Sequence, residues 1–178
     1  MYSRILVPLD GSTTAQRGLE EAIRLARLTQ GQLRLVHVVD ELTYTVAWDL
    51  ADGTAARWHE LAWAQAQQLL DAGRAQALAS GVQADTSLVD SLEGRMAELV
   101  VREAGRFHAD LLVLGTHGRR GLGRLVLGSG AEQVLRLSTV PVLLVRAPEE
   151  PSAPTQAKEE PAVAPGHVRI AAGALAIE

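Results

Sequence analysis

No cysteine occurs anywhere in the 178 residues. That absence excludes disulfide scaffolds, thiolate metal sites and cysteine nucleophiles together. Aromatic residues make up only 3%, so any core must be assembled from Leu, Val, Ala and Ile. Lysine is nearly missing as well: Lys158 is the single one among 17 basic residues. The formal net charge of -4 gives no bulk basicity with which to hold nucleic acid or an anionic membrane. No apolar run approaches the ~18 residues that a membrane-crossing helix needs. The opening "MYSRILVPLD" lacks the basic start and long apolar stretch of a secretory signal. A cytoplasmic protein is expected.

What is present suits a soluble domain with a real core: 47% apolar and 21% charged residues. Short β-branched runs alternate with longer helical patterns as far as residue 147. "RILVPL" (residues 4–9) reads as a buried strand ended by Asp10-Gly11-Ser12. A helix follows, with Thr13 and Gln16 at capping-box spacing and Gly31 in the place of a C-terminal cap. "LRLVHVV" (33–39) is a second strand, then a polar loop runs from 40 to about 53 and a long helix covers 55–80. "VQADTSLV" (82–89) reads as a less apolar, edge-like strand. Met96, Leu99, Val100, Ala104 and Phe107 mark the apolar face of a third helix. "DLLVLGT" (110–116) is the most apolar strand, a fourth helix begins near Ser129, and "PVLLVR" (141–146) supplies a fifth strand.

Strict alternation of strand and helix predicts an α/β fold, a doubly wound parallel sheet of five strands with helices on both faces. Continuous apolar runs, as opposed to alternating ones, fit strands buried on both sides. In such folds ligands lie beyond the carboxyl ends of the strands, where the strand order reverses. The composition then changes. Residues 148–165, "PEEPSAPTQAKEEPAVAP", are dominated by Pro, Glu and Ala and read as a disordered linker. Residues 166–178 turn apolar again and read either as a frayed tail or as a short element that docks on a protein partner.

The stretch with the clearest chemistry is "GTHGRRGLGRLVLGSG", residues 115–130, directly after the most apolar strand. Glycine loses more backbone freedom on ordering than any other residue, so a run of it needs a reason. Here the glycines let backbone N–H groups crowd toward an anion, and the helix start at Gly128-Ser129 adds unpaired N–H groups and a partial positive charge. Strand, glycine-rich loop and helix N-terminus make a phosphate-binding arrangement, with Arg119, Arg120 and Arg124 around it. Two standard motifs fail. Gly123 to Ser129 has Walker A glycine spacing but no lysine before the serine, and the segment 118–123 does not fit G-x-G-x-x-G.

A third pattern fits. Gly115, two residues, Gly118, nine residues, then Gly128-Ser129 resembles the G-2x-G-9x-G-[S/T] signature of nucleotide-binding universal stress proteins. "RILVPLDGS" and "LVHVV" resemble that family's first two strands, and residues 109–146 its closing half. The resemblance implies strand order 3-2-1-4-5, ATP across the ends of strands one and four, and homodimers formed through the last strand. Carried over by position, Asp10 with the backbone of Pro8 and Leu9 would line the adenosine side, and Val38 would hydrogen-bond the adenine edge. Gly115 and Thr116 would lie near the ribose, with Gly118, Arg119, Gly128, Ser129 and Gly130 around the phosphates. Gly130 stands where the family more often carries Val or Thr.

Plainer roles compete for several of these residues. Asp10 can serve as a helix cap and Ser129 as an N-cap, a role compatible with phosphate contact. His117 reads as a loop residue, His37 as a packed, hydrogen-bonded one, and His59 and His108 have no partner at zinc-ligand spacing. With no lysine at the phosphates and no paired carboxylates at metal spacing, the parts for phosphoryl transfer are incomplete. The sequence therefore reads as a protein that holds ATP as a ligand in a sensor or regulatory dimer. Mg²⁺ or Mn²⁺ would be held by the phosphates. A slow ATPase and a nucleotide-free scaffold are the alternatives.

Overall fold

The computed structural model of the chain describes residues 2–39, 54–116 and 128–146. The loop expected at 40–53, His117, Gly118, Arg119, Arg120 and Arg124, and the segments 148–165 and 166–178 lie outside the described residues. Five strands are described: β1 (Arg4–Pro8), β2 (Gln32–Val39), β3 (Ala84–Asp90), β4 (Leu111–Gly115) and β5 (Val142–Val145). Four α-helices are described between them: α1 (Thr13–Thr29), α2 (Thr54–Ala79), α3 (Met96–Phe107) and α4 (Ser129–Leu137). A short 3-10 turn, Ser91–Glu93, precedes α3.

The strands form one sheet in the order β3-β2-β1-β4-β5, and every pairing in it is parallel. Because side chains alternate across a strand, β1 feeds two cores at once. Ile5 and Val7 pack with Leu19, Ile23, Leu35 and Leu70 under α1 and α2. Leu6 packs with Leu99, Val100, Phe107 and Leu112 under α3, with Val134 of α4. Full burial of each such side chain stabilises the fold by about 1.5–3 kcal/mol. The two edges differ. β3 is polar, whereas Leu143 and Leu144 of β5 are each 36% exposed.

Two helix ends differ from the sequence expectation. Ser12, not Thr13, caps α1: its Oγ accepts the Ala15 N–H at 3.1 Å, and the Gln16 side chain reaches Gln76 instead of closing a capping box. At the other end the left-handed cap is Gln30, with φ 54°, and Gly31 is the residue after it. A third difference concerns Met96, which is 43% exposed although it keeps helical spacing with the buried Leu99 and Val100.

The amino-terminal ends of the strands hold a charged cluster. Arg34 grips Asp85 with two hydrogen bonds, 2.8 and 2.7 Å, and reaches Glu103 at 3.1 Å. Glu103 is 4% exposed. The Arg34 and Arg4 guanidinium groups both lie over the Phe107 ring, at 4.5 and 4.4 Å. Hydrogen bonding to Asp85 raises the Arg34 pKa, which keeps the group charged beside the buried carboxylate. Among the described residues no helix is long and apolar enough to cross a membrane.

Candidate functional site

The chain leaves β1 toward the face of α1 and leaves β4 toward the face of α3 and α4. The two strands are neighbours, so their carboxyl ends part there and open the crevice expected of a doubly wound sheet.

On the β1 side, Pro8 ends the strand and Leu9 continues the ladder by donating its N–H to the Val36 carbonyl at 2.8 Å. The Leu9 carbonyl meets His37 Nδ1 at 2.5 Å. Asp10 turns its Oδ1 onto the Ser12 N–H at 2.9 Å, a side-chain turn that Gly11 permits with φ 79°. Asp10 is therefore a brace for the β1–α1 turn, one step before the cap. Val38 follows from parity. The Val36 carbonyl faces β1, and alternate residues of a strand turn their backbone groups the same way, so those of Val38 face the same side. β1 pairs with β2 only as far as Val36. The Val38 backbone thus looks over the end of β1 into the crevice.

On the β4 side, Thr116 is 5% exposed and is held at both backbone groups. Its N–H donates to Val145 at 2.9 Å, and its carbonyl accepts the Gly128 N–H at 2.7 Å. The glycine-rich segment 117–127 therefore begins and ends at one hydrogen bond. That bond pins the start of α4 beside the end of β4.

Gly128 is the N-cap of α4 and contributes no side-chain hydrogen bond; Ser129 is the first helical residue, exposed to solvent, not the cap itself. The Gly128 N–H is already spent on Thr116. What α4 can offer an anion is its first turn, Ser129, Gly130 and Ala131, whose N–H groups have no partner within the helix.

Gly115 has a packing role that its place in the motif did not disclose. A β-carbon there would lie 2.6–2.8 Å from the backbone of Thr14 and Ala15, so glycine lets α1 settle directly on the end of β4. A β-carbon on Gly130 would overlap the Met96 methyl, a neighbour that sequence spacing gave no means of finding.

Among the described residues, Leu9 lines a cleft of about 260 Å³ with Gly11, Ser12, Thr13, Ala15, Gln16 and Leu69. A larger cleft of about 320 Å³ sits at the opposite end of the sheet, between His108 and Thr139. Among the described residues no three His, Asp or Glu side chains converge in a way that could hold a metal ion.

The family model described as the universal stress protein family matches residues 1–146. A universal stress protein of Methanocaldococcus jannaschii is 33% identical over 150 residues, covering 84% of this chain and 85% of that protein. Among solved structures, the hypothetical protein MJ0577 superimposes with a TM-score of 0.72 at 25% identity, over 84% of this chain and 99% of that one. A universal stress protein from Archaeoglobus fulgidus, solved in complex with dAMP, superimposes with a TM-score of 0.59. At 22% identity, over 81% of this chain and 98% of that one, it shows the shared fold alone.

Proposed function

The chain belongs to the universal stress protein family, and from that premise we propose that it binds ATP across the ends of β1 and β4, as a ligand that sets its conformation. The observation that carries this reading is the bond between Thr116 and Gly128, which holds a helix N-terminus at the mouth of the crevice. An anion placed there meets oriented N–H dipoles and the positive end of α4.

The Val38 backbone supplies donor and acceptor at the right side for an adenine edge, with Pro8, Leu9 and Asp10 flanking the nucleoside. Gly115 and Thr116 border the ribose. The phosphates reach Gly118 and Arg119 and the amides of Ser129 and Gly130, with Gly128 holding the turn. Mg²⁺ or Mn²⁺ accompanies the triphosphate on phosphate oxygens and water, and neutralises charge that the site's few cations leave over. β5 is the edge of the sheet among the described residues, and Leu143 and Leu144 make that edge apolar, the chemistry of a strand that pairs with a second copy. In this reading a cytoplasmic dimer reports nucleotide level through the coupling of occupancy to dimer geometry.

The test is nucleotide content. Protein purified without added nucleotide is denatured in acid and the supernatant is resolved by anion exchange. Release of uncleaved ATP supports the reading. Release of ADP moves the case to a slow ATPase, and failure to release or to take up any adenylate overturns it.

A further inference from the structure

Apart from Met1, the chain's only sulfur atom is that of Met96, and its position is unusual. Met96 opens α3, and while Ala97, Leu99, Val100, Ala104 and Phe107 are buried, it stays 43% exposed. Its methyl lies over Gly130, in the space that a β-carbon there would need. Gly130 is the second residue of α4, and the residue before the helix, Gly128, brings no side-chain cap.

The first turn of α4 therefore carries Gly130, the poorest helix former short of proline, behind a cap that brings no side chain. Nor is the rest of α4 deeply anchored, since Val134 is its one buried residue. The Met96 thioether is soft and unbranched, suited to filling such an irregular gap. It stands in for the side chain that Gly130 lacks.

We propose that Met96 is an oxidation-sensitive positioning residue: its methyl holds the first turn of α4 in place, and conversion to the sulfoxide releases that turn and weakens phosphate binding. The second half rests on the nucleotide reading above; the first does not. The oxidant is hydrogen peroxide. A sulfur lone pair attacks one peroxide oxygen, the S–O bond forms as the O–O bond breaks, and the departing hydroxide takes the remaining proton and leaves as water. Sulfur is oxidised by two electrons and the peroxide reduced by two. The product is polar and chiral, and it no longer suits a contact with a glycine α-carbon. With no cysteine in the chain, no thiol competes for the oxidant.

The experiment uses the full chain, a Met96→Leu variant that keeps apolar bulk, and a Met96→Gln variant that imitates the sulfoxide. Each is treated with peroxide, and peptide mass spectrometry follows oxygen addition at Met96 with Met1 as the internal reference. Hydrogen exchange of residues 129–137 is read without nucleotide, and ATP is then titrated. Oxidised native protein and Met96→Gln should exchange faster at the start of α4 and bind ATP on the order of tenfold more weakly, about 1.4 kcal/mol. Met96→Leu should keep both properties before and after peroxide. Unchanged exchange in α4 with Met96 fully oxidised overturns the proposal. If untreated protein binds no ATP, the nucleotide reading fails on its own, and the exchange result still decides whether Met96 positions α4.

Discussion

A β-carbon on Gly115 would sit 2.6 Å from the carbonyl carbon of Thr14. The end of β4 and the first turn of α1 touch backbone to backbone, and neither can yield by rotating a side chain. The contact ties the two strands that frame the crevice to one helix.

Gly115→Ala is expected to destabilise the protein by about 3 kcal/mol, the upper range for overpacking where backbone must shift. Gly18 lies on the other side of the same contact, yet a β-carbon there would meet the Gly115 nitrogen at an ordinary 3.5 Å. Gly18→Ala should therefore be neutral or stabilise by up to about 1 kcal/mol, the helix propensity difference. Urea midpoints at constant slope separate the two outcomes; equal effects would contradict the contact.

Among the described residues, removing Arg34 leaves Arg106, at 3.5 Å, as the remaining ion-pair partner of the buried Glu103 carboxylate. Arg34→Leu should cost about 3 kcal/mol, the lower end for breaking a buried pair. Adding Glu103→Leu should restore much of the loss, because the charges then left without these partners, Asp85 and Arg106, are both exposed to water. A double-mutant cycle read by chemical denaturation checks this, and strictly additive losses would refute it.

Burial pushes the Asp110 carboxyl up. The N–H groups of Ser3 and Arg4 and the Ser3 hydroxyl outweigh that effect and hold its pKa below the usual aspartate value. A depressed folded pKa means stability that is present at neutral pH and lost as pH falls through it, below about 3.9. Asp110→Asn should lower the thermal midpoint at neutral pH, and the gap to the native protein should shrink on acidification. A gap that stays constant from neutral to about pH 2 would show that Asp110 contributes nothing through its charge.

The α/β architecture was legible because buried parallel strands are nearly continuous apolar runs, as in residues 111–115, and because the helices between them keep a 3.6-residue period. Strand order came from likeness to a family, not from periodicity, since alternation alone does not say where the chain reverses. Helix ends were less legible. Ser12 and Thr13 both carry a hydroxyl, and it is Ser12 that takes the extended backbone of an N-cap, with φ -76° and ψ 157°. Met96 shows the limit of periodicity, because the first residue of a helix can keep the spacing of the buried stripe and still overhang it. The glycine signature pointed to the stretch proposed to hold the phosphates, but the contact of Gly115 with Thr14 joins residues 101 positions apart. No local pattern encodes it. The outlook of Val38 likewise depends on where β1 stops pairing with β2, a property of two strands together.

The measurement that tests the central claim most directly is a calorimetric titration of the nucleotide-stripped full chain with ATP, beside a Gly118→Val/Ser129→Ala variant. The account predicts saturable binding of one ATP per chain, weakened on the order of a hundredfold in the variant, about 2.7 kcal/mol. Equal affinity in the two proteins, or no heat up to millimolar ATP, would contradict it.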